Sequence, residues 1–220
     1  MDLPIFNNER EVAQWERARF GSEGLLVRIQ SSRPFFNRNE TMKANNINTE
    51  RLILRPVTLE DAPAIERYAS DRRIAERTIL IPHPYPEGAA ASWLEEVLAH
   101  PSQGHLFALT LKLGGDFVGI MDLQICDDKF RAEVGFWLAP LFWGNGLCTE
   151  ALRAVIEYGF RELNLQRIYA GYFSENLASG RVQIKAGMKK EGIHRKGAFR
   201  FGEPKDLVMC AITRPDWEAR

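Results

Sequence analysis

A glycine-rich turn between an apolar strand and an amphipathic helix, Pro140 to Phe160 (PLFWGNGLCTEALRAVIEYGF), restricts this chain more than any other stretch. Gly144 and Gly146 admit backbone angles closed to other residues, so consecutive N–H groups can converge at the helix entrance. From Cys148 onward Leu152, Val155, Ile156, Gly159 and Leu163 fall at the spacing of one buried helical face. The helix therefore packs by its flank and leaves its N-terminus open. Such a terminus carries roughly half a positive charge and several unpaired donors, which suits a phosphate or pyrophosphate. A Walker loop does not fit, because no Gly-Lys-Ser/Thr follows, and a dinucleotide fingerprint does not fit, because Thr149 stands at its third glycine. Asn145-Gly146 would also read as a hairpin turn between alternating strands, but the residues that follow are helix-periodic.

The rest of the chain alternates strands with helices. Arg51 to Val57 reads as a strand, Thr58 as an N-cap, and Leu59 to Ala69 as a helix with Asp61 in its first turn. Ile79 to Pro86 holds three prolines and predicts a loop ahead of a second helix over Glu87 to Ala99. His105 to Leu113 and Phe117 to Ile125 are apolar runs joined through Gly114-Gly115, a hairpin signal. Arg131 to Ala139 precedes the glycine turn. Gln166 to Phe173 follows as a strand, Asn176 to Ala186 as a helix, and Lys189 to Arg195 and Asp206 to Thr213 as closing strands. This order fits neither a doubly wound sheet nor a ferredoxin pattern.

Composition narrows the partners. Lys plus Arg and Asp plus Glu number 29 each, so there is no polyanion-binding or membrane-surface footprint and nucleic acid is disfavoured. Cys126, Cys148 and Cys210 are widely spaced without a CxxC pair, which argues against a disulfide framework or zinc and for a reducing cytoplasm. His83, His105 and His194 lack metal-ligand spacing and read as surface or loop residues. No long uncharged apolar run or basic-then-apolar leader is present, so neither a membrane span nor a signal peptide is expected. Residues 1–41 lack a firm apolar period and read as a poorly ordered extension, with Met42 a possible true start.

The run Trp143-Gly144-Asn145-Gly146-Leu147-Cys148-Thr149-Glu150-Ala151 resembles the acyl-CoA-binding motif of the GNAT superfamily of N-acyltransferases, and most of all its RimJ/RimL-like branch. Trp143 replaces the Arg or Gln of the wider superfamily, and Cys148 a usual Gly or Ala. The opening KANNINTERLILRP after Met42 also resembles that branch. The resemblance covers a domain at 42–220 with its core at 49–217. It implies an α+β GNAT fold: a mostly antiparallel seven-stranded sheet splayed between its fourth and fifth strands and flanked by four helices. It implies acetyl-CoA as co-substrate, no metal, and direct acetyl transfer to a primary amine, either a protein N-terminus or a small molecule. A non-catalytic acyl-CoA-binding module is the alternative. Either a monomer or a homodimer is compatible.

The candidate residues divide by task. Glu133, Gly135 and Trp137 share one face of an alternating strand, and Ala132, Val134, Phe136 and Leu138 the other. Glu133 reads as a general base or, equally, as a structural carboxylate paired with Arg131 or Arg55. Asn176 is a natural N-cap. By resemblance Asn176 also contacts the pantetheine arm and Ser179 faces the sulfur, with Tyr172 the fallback acid. The backbone of the Glu133 to Ala139 strand, bulged in the family, would polarise the carbonyl. Trp137, Leu138 and the stretch Trp143 to Thr149 complete the cofactor set. Arg181 and Lys185 read as phosphate partners or as solvated side chains. Cys148 reads as a small packing residue or as a thiol acidified by the helix terminus. The resemblance implies that the Ser70 to Pro86 loop and the His194 to Lys205 connection choose the acceptor. Arg195, Lys196, Arg200 and Lys205 of the connection read as steering an acidic acceptor or, more simply, as a solvated hairpin.

Overall fold

The computed structural model describes residues 46–100, 104–126 and 128–220. The extension at 1–41 and its boundary at Met42 lie outside the described residues. Eight strands form one sheet: β1 (Ile47–Asn48), β2 (Leu52–Pro56), β3 (Gly104–Leu111), β4 (Phe117–Ile125), β5 (Arg131–Leu138), β6 (Arg167–Phe173), β7 (Lys189–Arg200) and β8 (Glu203–Thr213). Their order across the sheet is β1-β2-β3-β4-β5-β6-β8-β7, antiparallel everywhere except between β5 and β6. The strand beyond the expected seven is β1, a two-residue return of the chain onto β2 through Ile47 opposite Leu54. Two residues leave no alternation for a sequence reading to detect.

Among the described residues the helices are α1 (Ala62–Ala69), α2 (Arg72–Ala75), α3 (Ala89–Ala99), α4 (Leu147–Arg161), α5 (Leu177–Lys185) and α6 (Arg214–Glu218). Four are the expected ones, and α2 and α6 are single turns. On one sheet face α4 and α5 bury Leu152, Val155, Ile156, Phe160 and Ala186 against Leu54, Phe107, Met121, Leu123 and Ile168. Each large apolar side chain so buried contributes about 1.5–3 kcal/mol. Gly159 lets α4 approach closely, since a Cβ there would lie 2.7 Å from Ile168 Cδ1. On the other face α1 and α3 bury Ile65, Ala69, Ala90 and Leu94 against Val57, Ala108 and Ile120.

Two expectations about the connections change. The closing strands run beyond the expected Arg195 and Asp206 into a hairpin that turns at Phe201-Gly202, with Arg200 opposite Glu203, so most of the His194 to Lys205 connection is strand. His105 is neither on the surface nor in a loop. It sits in β3, buried in an aromatic group with Phe107 and Tyr158, whose ring centroids lie 6.1 and 5.3 Å away. The imidazole packs there as a flat ring, and burial lowers its pKa.

Candidate active site

The pairing of β5 with β6 stops early. Arg131, Ala132 and Glu133 pair with Arg167, Ile168 and Tyr169, and beyond Glu133 the two strands part. This is the splay expected between the fourth and fifth strands, displaced by one in number because of β1. The expected bulge is absent from the β4–β5 ladder, where Gly119 to Ile125 pair in unbroken register with Leu138 to Ala132. The opening therefore comes from strands that cease to pair, and the β6-facing amides of β5 beyond Glu133 have no strand beside them.

At the far end of β5 the glycine turn has the expected form. Gly144 and Gly146 have φ of 81° and 78°, and Gly146 caps α4 in the left-handed region. A Cβ at Gly144 would meet nothing within 4 Å, so the approach to the turn is open. The first amides of α4 are unpaired within the helix, as at any helix start, and their dipole favours an anion. Open amides, an N-terminal dipole and a guanidinium at the rim fit the pyrophosphate of a CoA thioester.

That guanidinium belongs to Arg51, which sequence reasoning did not single out. Arg51 Nε donates to Glu150 Oε2 at 2.7 Å and NH1 to the Asn145 carbonyl at 2.8 Å. The Arg51 amide and the Thr49 hydroxyl both donate to Glu150 Oε1, at 2.7 and 2.6 Å. Burial alone would raise the Glu150 pKa, but these hydrogen bonds outweigh it and hold the carboxyl below its usual range. The segment before β2 is thereby fastened to the turn. Alternating charges one hundred residues apart offer no local signal for such a fastening.

The side chains of most other expected cofactor residues are taken up by packing or by hydrogen bonds to the backbone. Trp143 Nε1 donates to the Leu138 carbonyl at 2.6 Å, and Arg73 and Arg77 lie over its ring at 5.7 and 5.1 Å, so Trp143 pins the turn. Leu138 and Leu147 are buried core residues, while the Trp137 ring packs 6.1 Å from Phe117 on the α1/α3 face. Asn145 Nδ2 reaches the Phe142 and Trp143 carbonyls at 3.4 Å, and Thr149 is half-buried in the first turn of α4. Cys148 is not acidified: burial pushes its thiol up to about 12, so it is a packing residue. Arg181 and Lys185 are exposed, and the Lys185 carbonyl accepts from Arg153 of α4 at 2.7 Å.

The candidate acid–base groups lie on opposite faces of the sheet. Ser179 and Tyr172 are on the α4/α5 face, where the Tyr172 ring packs on Gly180 with its hydroxyl 2.7 Å from the position of a Cβ. Burial raises the Tyr172 phenol pKa, so it stays protonated. Asn176 Oδ1 accepts from the Ser179 amide at 3.3 Å, which is the capping role. Glu133 and Trp137 are on the α1/α3 face. Of the two arginines considered as partners for Glu133, Arg55 also grips Asp61 through two bonds of 2.9 and 2.6 Å, and Arg131 also binds Asp128 at 2.8 Å.

A second carboxylate, missed in the sequence, shares the Glu133 face. Asp122 lies across β4–β5 from Gly135, next to Glu133, which faces Gln124. Burial and the nearby Glu133 charge raise the Asp122 pKa to about 6, against hydrogen bonds from Gln124 and the Gly135 amide. GIMDLQI holds two polar residues, Asp122 and Gln124, and nothing in the run sets Asp122 apart. Above this face Arg200 donates to the carbonyls of Ala75 at 2.8 Å, Ile79 at 3.3 Å and Ile81, so it ties the β7–β8 hairpin to the Ser70 to Pro86 segment. Lys205 pairs with Glu175 and Glu203 at 3.1 and 3.0 Å. Two of the four basic residues expected to steer an acidic acceptor are thus taken up by the protein itself.

Residues 51–189 match the family model described as the acetyltransferase (GNAT) domain. The chain belongs to the GNAT acetyltransferase family. It is similar to the uncharacterised N-acetyltransferase YoaA of Bacillus subtilis, 31% identical over 77% of this chain and 97% of that protein. It is also similar to the [ribosomal protein uS5]-alanine N-acetyltransferase of Escherichia coli, 30% identical over 78% of this chain and 92% of the relative. Among solved structures, RimJ of Mycobacterium smegmatis in complex with CoA-disulfide superposes with a TM-score of 0.66 at 25% identity, covering 75% of this chain and 83% of that one. The GNAT fold binds CoA thioesters, and the activity of this chain is N-acetyl transfer. Among the described residues no helix is long and apolar enough to cross a membrane, and no cluster of three or more His, Cys, Asp or Glu could hold a metal ion.

Proposed function

We propose that this acetyltransferase takes acetyl-CoA into the gap between β5 and β6, with the pyrophosphate on the Gly144–Gly146 turn, and acetylates the α-amine of a polypeptide N-terminus in a ternary complex. The observation that carries the reading is the parting of β5 and β6 beyond Glu133, between a carboxylate face and a hydroxyl face. In this reading Asp122 and Glu133 receive the amine proton, the free β5 amides polarise the thioester carbonyl, and Ser179, backed by Tyr172, donates a hydrogen bond to the leaving sulfur. The amine nitrogen forms the C–N bond as the C–S pair leaves on sulfur.

Proton matching favours an α-amine over a lysine or polyamine. An acceptor carboxylate near pKa 6 lies about 2 units below an α-ammonium and about 4.4 below a lysine ammonium. At about 1.36 kcal/mol per unit, the second transfer is uphill by roughly 6 kcal/mol and the first by about 3. The [ribosomal protein uS5]-alanine N-acetyltransferase of Escherichia coli, a relative, supports the same class. The reading places the enzyme in the cytoplasm, where acetyl-CoA and nascent proteins meet. A screen of N-terminal peptides against polyamines, aminoglycosides and lysine peptides tests it. Preference for a polyamine or lysine acceptor would overturn the α-amine assignment.

A further inference from the structure

The α5 face that carries Ser179 also carries a buried polar side chain. Gln183 is fully buried in α5. Its Nε2 donates to Ser179 Oγ at 3.3 Å, one helical turn earlier, while its Oε1 has no hydrogen-bond partner among the described residues. Buried amides are normally satisfied at both atoms, so a half-satisfied one calls for an explanation beyond packing. An apolar side chain of the same size would fill the site without the orphan oxygen.

A serine hydroxyl has one proton and two lone pairs. An N–H donated onto Oγ occupies a lone pair and leaves the proton to point elsewhere. Turning the amide over would satisfy Oε1 with the Ser179 proton and remove that proton from any other acceptor. Asn176 meanwhile holds the Ser179 backbone amide, so the serine is fixed from both ends of the first turns of α5.

We propose that Gln183 is a positioning residue that orients the Ser179 hydroxyl as a hydrogen-bond donor toward the sulfur of the departing CoA thiolate. This rests on the reading of Ser179 given above. A serine hydroxyl is a far weaker acid than a thiol, so Ser179 shares its proton with the thiolate and does not surrender it. The C–S electron pair leaves on sulfur, the amine proton goes to the carboxylate face, and the hydrogen bond stabilises the thiolate until solvent protonates it.

The test compares Gln183→Met, Gln183→Glu, Ser179→Ala and the Gln183→Met/Ser179→Ala double variant, using acetyl-CoA with an alanine-initiated peptide, or with water where the peptide is not an acceptor. Gln183→Met keeps the volume and removes the donor. It is expected to melt no lower than wild type, to keep the CoA dissociation constant within about twofold, and to lose about tenfold in kcat, near the low end of acid–base contributions. Ser179→Ala should match it, and the double variant should be no worse than either. Gln183→Glu donates only while protonated, so its kcat should fall with rising pH where that of wild type rises. If Gln183→Met folds poorly, the Gln183→Glu pH profile decides alone. Wild-type kcat in Gln183→Met beside an impaired Ser179→Ala overturns the positioning role and leaves the serine reading intact. Wild-type kcat in Ser179→Ala overturns the serine reading and this inference with it.

Discussion

Asp122 stands directly across the β4–β5 ladder from Gly135, and its carboxylate occupies the space that a side chain at 135 would need. Gly135→Ala should therefore collide with Asp122 and destabilise the protein by about 1–3 kcal/mol, the usual range for overpacking. In an Asp122→Ala background the same change should be nearly neutral. Thermal unfolding of the two single variants and the double variant measures the coupling.

Asp122 also predicts a pH signature. Its folded pKa, near 6, lies above the unfolded value near 3.9, so the folded state binds the proton more tightly. The contribution of this group is greatest below the unfolded value and is lost as pH rises through about 6. Asp122→Asn should accordingly raise the melting temperature at pH 8 and leave it unchanged at pH 4, while lowering turnover. An equal gain at both pH values would show that the carboxyl does not titrate in this window.

His105 works in the opposite sense. Burial beside Phe107 and Tyr158 lowers its pKa, so the unfolded chain binds the proton more tightly. Its stabilisation is present above the unfolded value near 6.5 and is lost as pH falls below it. His105→Phe should remove that acid-side loss and flatten the stability curve between about pH 5 and 7. Chemical denaturation of wild type and variant across that range checks it.

Glu133→Gln should preserve the fold, lower turnover strongly at neutral pH, and recover as pH approaches the amine pKa, where free amine forms unaided. Wild-type turnover at every pH would remove Glu133 from the mechanism and leave Asp122 as the only carboxylate of the pair in play.

The cofactor turn makes two graded predictions. Gly146→Asp places a side chain in a left-handed position and a negative charge at an anion site, and calorimetry should show CoA binding abolished in a folded variant. Arg51→Ala frees Glu150 and the Asn145 carbonyl without touching the turn's own backbone. It should weaken CoA severalfold and cost about 1 kcal/mol of stability, because the pair is partly exposed. Unchanged CoA affinity in Gly146→Asp would mean that the anion binds elsewhere.

The sequence by itself determined the parts that depend on short-range pattern: the strand-and-helix order, the glycine turn at Gly144 and Gly146, the two faces of the β5 strand, and the Asn176 cap. Each rests on a periodicity or a backbone freedom that operates within a few residues. Tertiary structure decided everything that depends on which strands become neighbours. Asp122 joins Glu133 only because β4 pairs with β5 in one register, and a shift of one residue would turn Asp122 into the opposite face. Arg51 reaches Glu150 only because β2 and the start of α4 converge. His105 and Cys148 take their character from burial, which no local spacing encodes, and Gln183, a helical neighbour of Ser179 in any case, is buried only because the sheet beneath α5 covers that side of the helix.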